Sequence, residues 1–309
     1  MSVEDCVFRS YNPKRAPSRR WMSWHNHTGA FPRFSFCPTP GLSIGRYKAA
    51  LEGADADAWE GFAITEHAFG IAIPDAALCW PHVWYNDTAV LDRCIADGTR
   101  DRRIRECLEY YKSFCGGGDD SSDGSGSSGG GSNSGGGGAE PRGDGKRFES
   151  GIEVEVNADG VAAIPFERLR EFGGVVIASV HHAGGEFSSW AERHFFHLAR
   201  ALRIPADIAG HPVRGMSKYS SPANPLPKEI IDETLDMIRA AGMAVEINAH
   251  YPQLHDDVHL LQGAAERGMG VAFSMDLHYP EEFGNWRYFE DVAELAGVDL
   301  DKMKLFQLP

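Results

Sequence analysis

Short runs rich in β-branched and aromatic residues recur along the chain, and nearly every one is followed by a stretch with helical periodicity. Seven of these runs are predicted as strands, at residues 19–24, 61–65, 150–156, 175–180, 206–210, 243–248 and 271–275. The stretch PLPKEIIDETLDMIRAAG is typical of the intervening helices, because proline stands near its start and Gly242 at its end. Strands that alternate with helices predict a parallel sheet.

The Gly/Ser-rich segment 116–145 interrupts this pattern, and Ala139 is its single hydrophobic side chain. A stretch of this composition cannot offset its ordering entropy by burying apolar surface, so we predict a flexible insertion there. The runs on both sides of it belong to one series of strands. We therefore predict a single α/β domain, a β/α barrel over residues 19–309, preceded by an N-terminal extension over residues 1–18.

Composition restricts the class of protein further. The chain has 309 residues, of which 42% are hydrophobic, and this is enough for a substantial core without disulfides. Its six cysteines show no recurring spacing, and no segment reads as a signal peptide or a membrane span. We therefore expect a cytoplasmic protein with free thiols and no membrane partner. The formal net charge of -14 opposes binding to nucleic acid, and the oligomeric state stays open.

Ionisable residues follow the predicted strands at their carboxyl ends. They are His25 and His27 after the first strand, Glu66 and His67 after the second, Glu153 and Glu155 in the third, His181 and His182 after the fourth, His211 after the fifth, and Asp276 and His278 after the seventh. In a β/α barrel these ends meet at one face, so we expect the side chains to converge. The two imidazoles of H-x-H point to the same side of an extended segment, as do the two groups of D-x-H.

This concentration of imidazoles and carboxylates would be costly to bury without a bound cation. Mixed nitrogen and oxygen ligands suit zinc, manganese or iron better than magnesium or calcium. A carboxylate that lies among several imidazoles is also suited to bridge two ions. The pattern therefore predicts a centre of divalent metal ions at the carboxyl face of the barrel.

The order of these motifs resembles that of the PHP (polymerase and histidinol phosphatase) superfamily. The chain carries W-H-N-H-T, T-E-H-A, G-I-E-V-E-V, S-V-H-H-A, A-G-H-P and S-M-D-L-H in the family's order. The resemblance implies a distorted, seven-stranded, TIM-like barrel and two or three divalent metal ions (Zn, Mn or Fe), with Glu153 as the bridge. The metal ligands that it implies are His25, His27, His67, Glu153, His181, His211, Asp276 and His278.

The variants G-I-E-V-E and S-V-H look most like the histidinol-phosphatase branch, which hydrolyses small phosphate monoesters. The resemblance thus implies a phosphoesterase in which two metals activate a bridging water, with Glu153 and Asp276 as the catalytic residues. Asp276 or a pocket histidine is expected to protonate the leaving group. Arg214 and Arg33, which follow G-H-P and H-x-H, are predicted to grip the phosphate of a small phosphorylated substrate.

The chain departs from the family pattern after H-x-H, where Thr28 and its neighbours stand in place of a further ligand. A third ion would then be held by His67 and His278 alone. A site with two protein nitrogens is weaker than one with three or four protein ligands. We therefore expect two tightly held ions and a third that is partial.

Two other functions fit the same motifs. Amidohydrolase-type barrels, which cleave C–N bonds, also use H-x-H and a late aspartate, although Glu153 stands where many of them have a metal-bridging lysine. A PHP module that keeps its metals without catalysing a reaction is the other alternative. Of the remaining residues, Glu155 has either a role in supporting the metal ligands or a structural role, and the sequence does not decide between them. Structural roles are predicted for His182, His194, His197 and His250.

Overall fold

The computed structural model of the protein describes residues 16–28, 42–74, 88–115, 146–157, 159–181, 185–221, 223–250 and 252–308. The predicted insertion at 116–145, Arg33 and His182 lie outside these ranges, as does most of the predicted N-terminal extension. Ser18 of that extension is described, and its backbone N–H and its hydroxyl group both donate to Oε1 of Glu290. The chain is therefore attached to the barrel before its first strand begins.

Seven parallel strands form one sheet, in which each strand pairs with the next along the chain. They are β1 (Trp21–Ser23), β2 (Trp59–His67), β3 (Arg147–Val154), β4 (Val175–Ser179), β5 (Ile208–Gly210), β6 (Ala244–Asn248) and β7 (Val271–Ser274). The first and last strands also meet, because the Trp24 N–H donates to the Phe273 carbonyl oxygen and Asn26 forms a parallel bridge with Leu277. The sheet is a nearly closed barrel, so the predicted fold is confirmed.

The bounds of the strands differ from the predicted ones mainly at their amino ends. β3 begins at Arg147, because its pairing with β2 already starts where Arg147 lies opposite Gly61. β1 is shorter than predicted and begins at Trp21. Apolar periodicity alone misses such charged starts of strands, since backbone pairing and not side-chain burial defines them.

Eight α-helices in the described part of the chain accompany the strands. They are α1 (Ile44–Glu52), α2 (Ala68–Ala72), α3 (Ala89–Ala96), α4 (Thr99–Cys115), α5 (Trp190–Ala201), α6 (Lys228–Ala240), α7 (Leu254–Glu266) and α8 (Trp286–Ala296). α6 starts directly after Pro227, and Gly242 follows its end with a φ of 76°, as the sequence predicts. Within the described ranges, none of the helices has the length and apolarity needed to cross a membrane.

Alternation of side chains along the strands separates two apolar regions. One set of positions, which includes Ile64, Ile152 and Val245, belongs to the large core between sheet and helices. The other set fills the barrel interior near the amino ends of the strands, and Phe306 and Leu308 of the C-terminal segment pack against it. We call this inner group the floor; it consists of Met22, Trp24, Ala63, Val175, Ile177, Ile208, Ala244 and Ala272.

Toward the carboxyl ends of the same strands, the inner positions carry ionisable residues. On β6, Ala244 belongs to the floor, and Glu246 follows two residues later. The step of two residues keeps the side chain on the inner side of the strand, one layer higher. We call this upper group the mouth; it consists of His25, His27, His67, Glu153, His181, His211, Glu246, Asp276 and His278.

Candidate metal centre

Glu153, near the end of β3, lies at the centre of the mouth and is fully buried. One of its oxygens, Oε2, faces three imidazoles, and the other, Oε1, faces His211 Nε2 at 3.2 Å. The distances from Oε2 are 3.2 Å to His25 Nε2, 3.5 Å to His27 Nε2 and 2.5 Å to His67 Nδ1. The carboxylate that the sequence predicts as a bridge is therefore the one that touches most of the predicted ligands.

Two carboxylates of the mouth, Asp276 and Glu153, each face the same two imidazole nitrogens. Oδ1 of Asp276 lies 3.7 Å from His25 Nε2 and 3.1 Å from His27 Nε2. Oε2 of Glu153 lies 3.2 and 3.5 Å from the same two nitrogens. Atoms bonded at about 2.1 Å to a tetrahedral ion lie about 3.4 Å from one another. The four nitrogen–oxygen distances are therefore of the size expected for atoms that bind a divalent metal ion.

The hydrogen bonds of these atoms support the same conclusion. His25 Nε2 and Glu153 Oε2 are buried and make no hydrogen bond, although they lie 3.2 Å apart. The other ring nitrogen of His25, Nδ1, is bound to Glu246 Oε1 at 2.9 Å. A metal-binding histidine is usually oriented in this way, with one nitrogen fixed by a carboxylate and the other directed at the ion.

Further groups of predicted ligands lie around the first one. Glu153, His181 and His211 each offer an atom within 4.8 Å of the others, and so do His27, His67 and His278. All eight metal ligands predicted from the sequence thus belong to one connected cluster. Seven of them are buried, and the His181 side chain, at 25% exposure, opens the cluster toward solvent.

The backbone is strained at two of the predicted ligands. His211 has a φ of 29° and Asp276 a φ of 50°, and they are the two residues other than glycine with positive φ in the described ranges. The left-handed region favours glycine, and occupying it with another residue costs on the order of 1–3 kcal/mol. Strained backbone of this kind is concentrated at functional sites, and here it falls on a histidine and an aspartate of the mouth.

The charges in the mouth are strongly coupled. Burial opposes ionisation of Glu153, but the neighbouring imidazoles of His67 and His25 outweigh it and hold the pKa of this carboxyl well below its ordinary value. Burial also opposes the charged form of His27, yet hydrogen bonds to Asp276 and Glu66 raise its pKa to about 9. In the protein alone, the raised pKa values of His25 and His27 therefore favour positive charge beside the buried carboxylates. A divalent ion would supply the same positive charge.

Arg214 is the predicted substrate-binding residue that the structure describes. Its Nη1 donates to Asp276 Oδ2 at 2.9 Å, and Asn248 Nδ2 donates to the same oxygen at 3.1 Å. The Arg214 side chain is 24% exposed, so it lines the edge of the mouth and reaches solvent. Arg33, the second predicted phosphate-binding residue, lies outside the described residues.

Glu246 is a member of the mouth that the sequence analysis misses. It accepts hydrogen bonds from His25 Nδ1 at 2.9 Å and from the His211 backbone N–H at 2.5 Å, so it orients two predicted ligands. A signal for it was present, because V-E-I-N places a carboxylate inside an otherwise apolar strand. Most of the predicted ligands follow a strand, whereas Glu246 lies within β6.

A second missed carboxylate is Glu282, which supports His278. It accepts from the backbone N–H groups of His278 and Tyr279, at 2.7 and 2.9 Å, and contacts His250 Nδ1 at 2.6 Å. The His250 ring stacks on that of His278 with centroids 4.2 Å apart. His250, predicted to be structural, therefore lies directly behind a predicted ligand. No sequence pattern relates Glu282 to a strand end.

The predicted structural role of two other histidines agrees with their surroundings. His194 and His197 lie on α5, where both are buried, and His194 Nε2 is 2.8 Å from Thr234 Oγ1 of α6. Their spacing of three residues serves packing between helices. Neither residue belongs to the groups of potential metal ligands found in the described ranges.

Comparison with known proteins adds no family to these observations: no protein-family model matches the chain, and no curated protein matches it. The residues and their geometry therefore carry the functional argument. Buried histidine, glutamate and aspartate groups that can hold metal ions are present, and they are compatible with a metal-dependent hydrolase.

Proposed function

We propose that this protein is a metal-dependent phosphoesterase of the PHP type that hydrolyses a small phosphate monoester. The observation that carries the proposal is that Glu153 and Asp276 both face the imidazoles of His25 and His27, with Arg214 bound to the other oxygen of Asp276. The ordered PHP-type motifs support it, because every motif contributes a residue to the same cluster.

Bound divalent ions would lower the pKa of water and neutralise the charge that develops on phosphoryl oxygens. The task of the protein is to position them. Glu153 does this through both oxygens, since Oε2 faces His25 and His27 while Oε1 faces His211. One carboxylate is shared by two groups of ligands and fixes their separation. Ser179 donates to Oε1 as well and keeps the carboxylate in this orientation.

Arg214 is the residue that would bind the phosphate. A guanidinium has N–H donors in a planar fork that matches the oxygens of a phosphate, and Arg214 also donates to Asp276. With a net charge of -14 the chain as a whole repels a phosphate dianion, so binding requires a local cation at the mouth. Arg214, partly exposed at the edge of the mouth, meets this requirement.

The leaving group needs a proton, and the geometry favours a histidine over Asp276 as its source. Asp276 Oδ1 faces His25 and His27, and Oδ2 accepts from Arg214 and Asn248. Both oxygens are therefore engaged in the cluster. A histidine of the pocket that does not bind an ion is therefore left to donate the proton.

A substrate panel tests the proposal. Metal-free protein is reloaded with Zn²⁺ or Mn²⁺ and assayed against phosphate monoesters, phosphate diesters and amides. We expect metal-dependent turnover of monoesters, and we expect Arg214→Ala to raise KM at least tenfold when both proteins are assayed at saturating metal. Faster cleavage of amides would favour the amidohydrolase-type alternative. Bound metal without turnover of any class would favour a non-catalytic module.

A further inference from the structure

Glu155 is a buried carboxylate that the proposed mechanism does not use. It lies two residues after Glu153, so both side chains point to the same side of an extended segment. Glu155 is 4% exposed, and its Oε1 lies 2.7 Å from His181 Nδ1 and 3.4 Å from His67 Nδ1. Neither carboxylate oxygen makes a hydrogen bond with well-formed geometry to any described residue. Burying a carboxylate in its charged form is costly unless a positive group is paired with it.

We propose that Glu155 is a metal ligand, which together with His67 and Glu153 forms a site for an additional divalent ion. This inference rests on the proposed metal-dependent function. The three residues each offer an atom within 4.8 Å of the others, and all three are buried. His67 Nδ1 lies between the two carboxylates, 2.5 Å from Glu153 Oε2 and 3.4 Å from Glu155 Oε1.

The ligand set indicates which ion the site would take. Two carboxylates and one imidazole make an oxygen-rich site, which suits Mn²⁺ or Fe²⁺. The sequence predicts only the imidazoles of His67 and His278 as ligands of a third ion. An ion with two protein ligands would be weakly held. A carboxylate adds a negative charge that imidazoles lack, so Glu155 turns a partial site into one that retains its ion.

A purely orienting role for Glu155 is the competing explanation. In that role the carboxylate would only accept hydrogen bonds from the imidazoles of His67 and His181 and hold their rings in place. Glutamine has nearly the same shape and keeps one acceptor oxygen, so Glu155→Gln would preserve orientation. It would not preserve ligation, because a neutral amide is a poor ligand for a divalent ion. The two roles therefore differ in how many ions the variant holds.

The experiment uses Mn²⁺ as the probe and counts ions in the full chain. Metal-free wild-type protein and its variants are loaded with Mn²⁺, dialysed and subjected to elemental analysis, with affinities from calorimetric titration. We expect three ions in the wild type and two in Glu155→Gln. The matched control is Glu149→Gln, which removes a carboxylate of similar burial from β3 and should keep three ions.

The outcomes separate this inference from the proposed function. An unchanged number of ions with unchanged affinities in Glu155→Gln would overturn the role of Glu155 and leave the metal-dependent function in place. A wild type that binds no divalent ion would overturn both. If circular dichroism shows that Glu155→Gln is unfolded, Glu155→Asp replaces it, because it keeps the charge and shortens the reach. We then expect one ion to bind at least tenfold more weakly, and unchanged binding would contradict the inference.

Discussion

The floor and the mouth of the barrel occupy the same strands, yet their inner side chains have opposite character. On β4, Ile177 is a fully buried residue of the floor, and Ser179, two residues later, donates to Glu153 in the mouth. On β6 the same step leads from Ala244 to Glu246. Stability and chemistry are therefore divided along the strand axis, and a single step of two residues separates them.

The backbone shows the same division. The residues other than glycine that have positive φ in the described ranges, His211 and Asp276, both belong to the mouth. Their conformation costs free energy that apolar packing elsewhere must offset. The floor contributes to the stabilising packing, because Trp24 packs edge-on against Phe306 with ring centroids 4.9 Å apart.

The largest effect is expected for Glu153→Gln in the mouth. A neutral amide cannot link two groups of cations as the carboxylate does, so turnover of phosphate monoesters should fall at least about a thousandfold. The fold should survive, since the floor is untouched, and circular dichroism checks this. Steady-state kinetics give the effect, with Glu149→Gln on the same strand as the control. A loss of less than tenfold would mean that Glu153 is not the shared ligand.

Ile177→Ala tests the floor, where we expect a loss of stability without a loss of metal. Ile177 is fully buried, and its Cγ2 fills the space that a Cβ on Gly210 would occupy, so a smaller side chain would leave a cavity there. The free energy of unfolding should drop by about 2–5 kcal/mol. Denaturant titration measures the loss, and elemental analysis of the folded variant should show an unchanged metal content. Loss of metal at full stability would contradict the separation of the two regions.

Glu246→Gln tests whether a carboxylate that orients the predicted ligands contributes to metal binding. Glu246 is not itself a predicted ligand. It orients two predicted ligands, because it binds the His25 ring and the His211 backbone N–H. Removing its charge should weaken metal binding about 10- to 100-fold, as measured by calorimetric titration. The control is Glu290→Gln, because Glu290 is a buried carboxylate that binds Trp21 Nε1 outside the mouth. Equal effects of both variants on metal affinity would argue against a specific role for Glu246.

The smallest effect is expected from shortening segment 116–145, which lies outside the described residues. Its composition offers almost no apolar surface for burial, and the length of a flexible loop enters closure entropy only logarithmically. A variant with a much shorter Gly/Ser loop should keep its unfolding midpoint and its metal content. A folded variant that binds no metal would show that the segment contributes to the mouth.

Sequence patterns predict the order of the strands and the residues that follow them, because period-two alternation and the position of the strand ends are local properties. His25, His211 and Asp276 converge for that reason. Glu246 and Glu282 escape prediction because their role is set by the partner that they contact across the barrel or beyond it. The positive φ of His211 and Asp276 also has no signal in the sequence, since the usual marker, glycine, is missing there.

Calorimetric titration of the metal-free protein tests the central claim most directly, namely that the mouth is a centre for divalent metal ions. Protein stripped with a chelator is titrated with Zn²⁺ and with Mn²⁺, and its thermal unfolding is followed at each step. We expect at least two ions to bind per chain and the unfolding temperature to rise with the metal concentration, because ions that bind the folded state stabilise it. Absence of saturable binding, together with an unfolding temperature that metal leaves unchanged, would contradict the account.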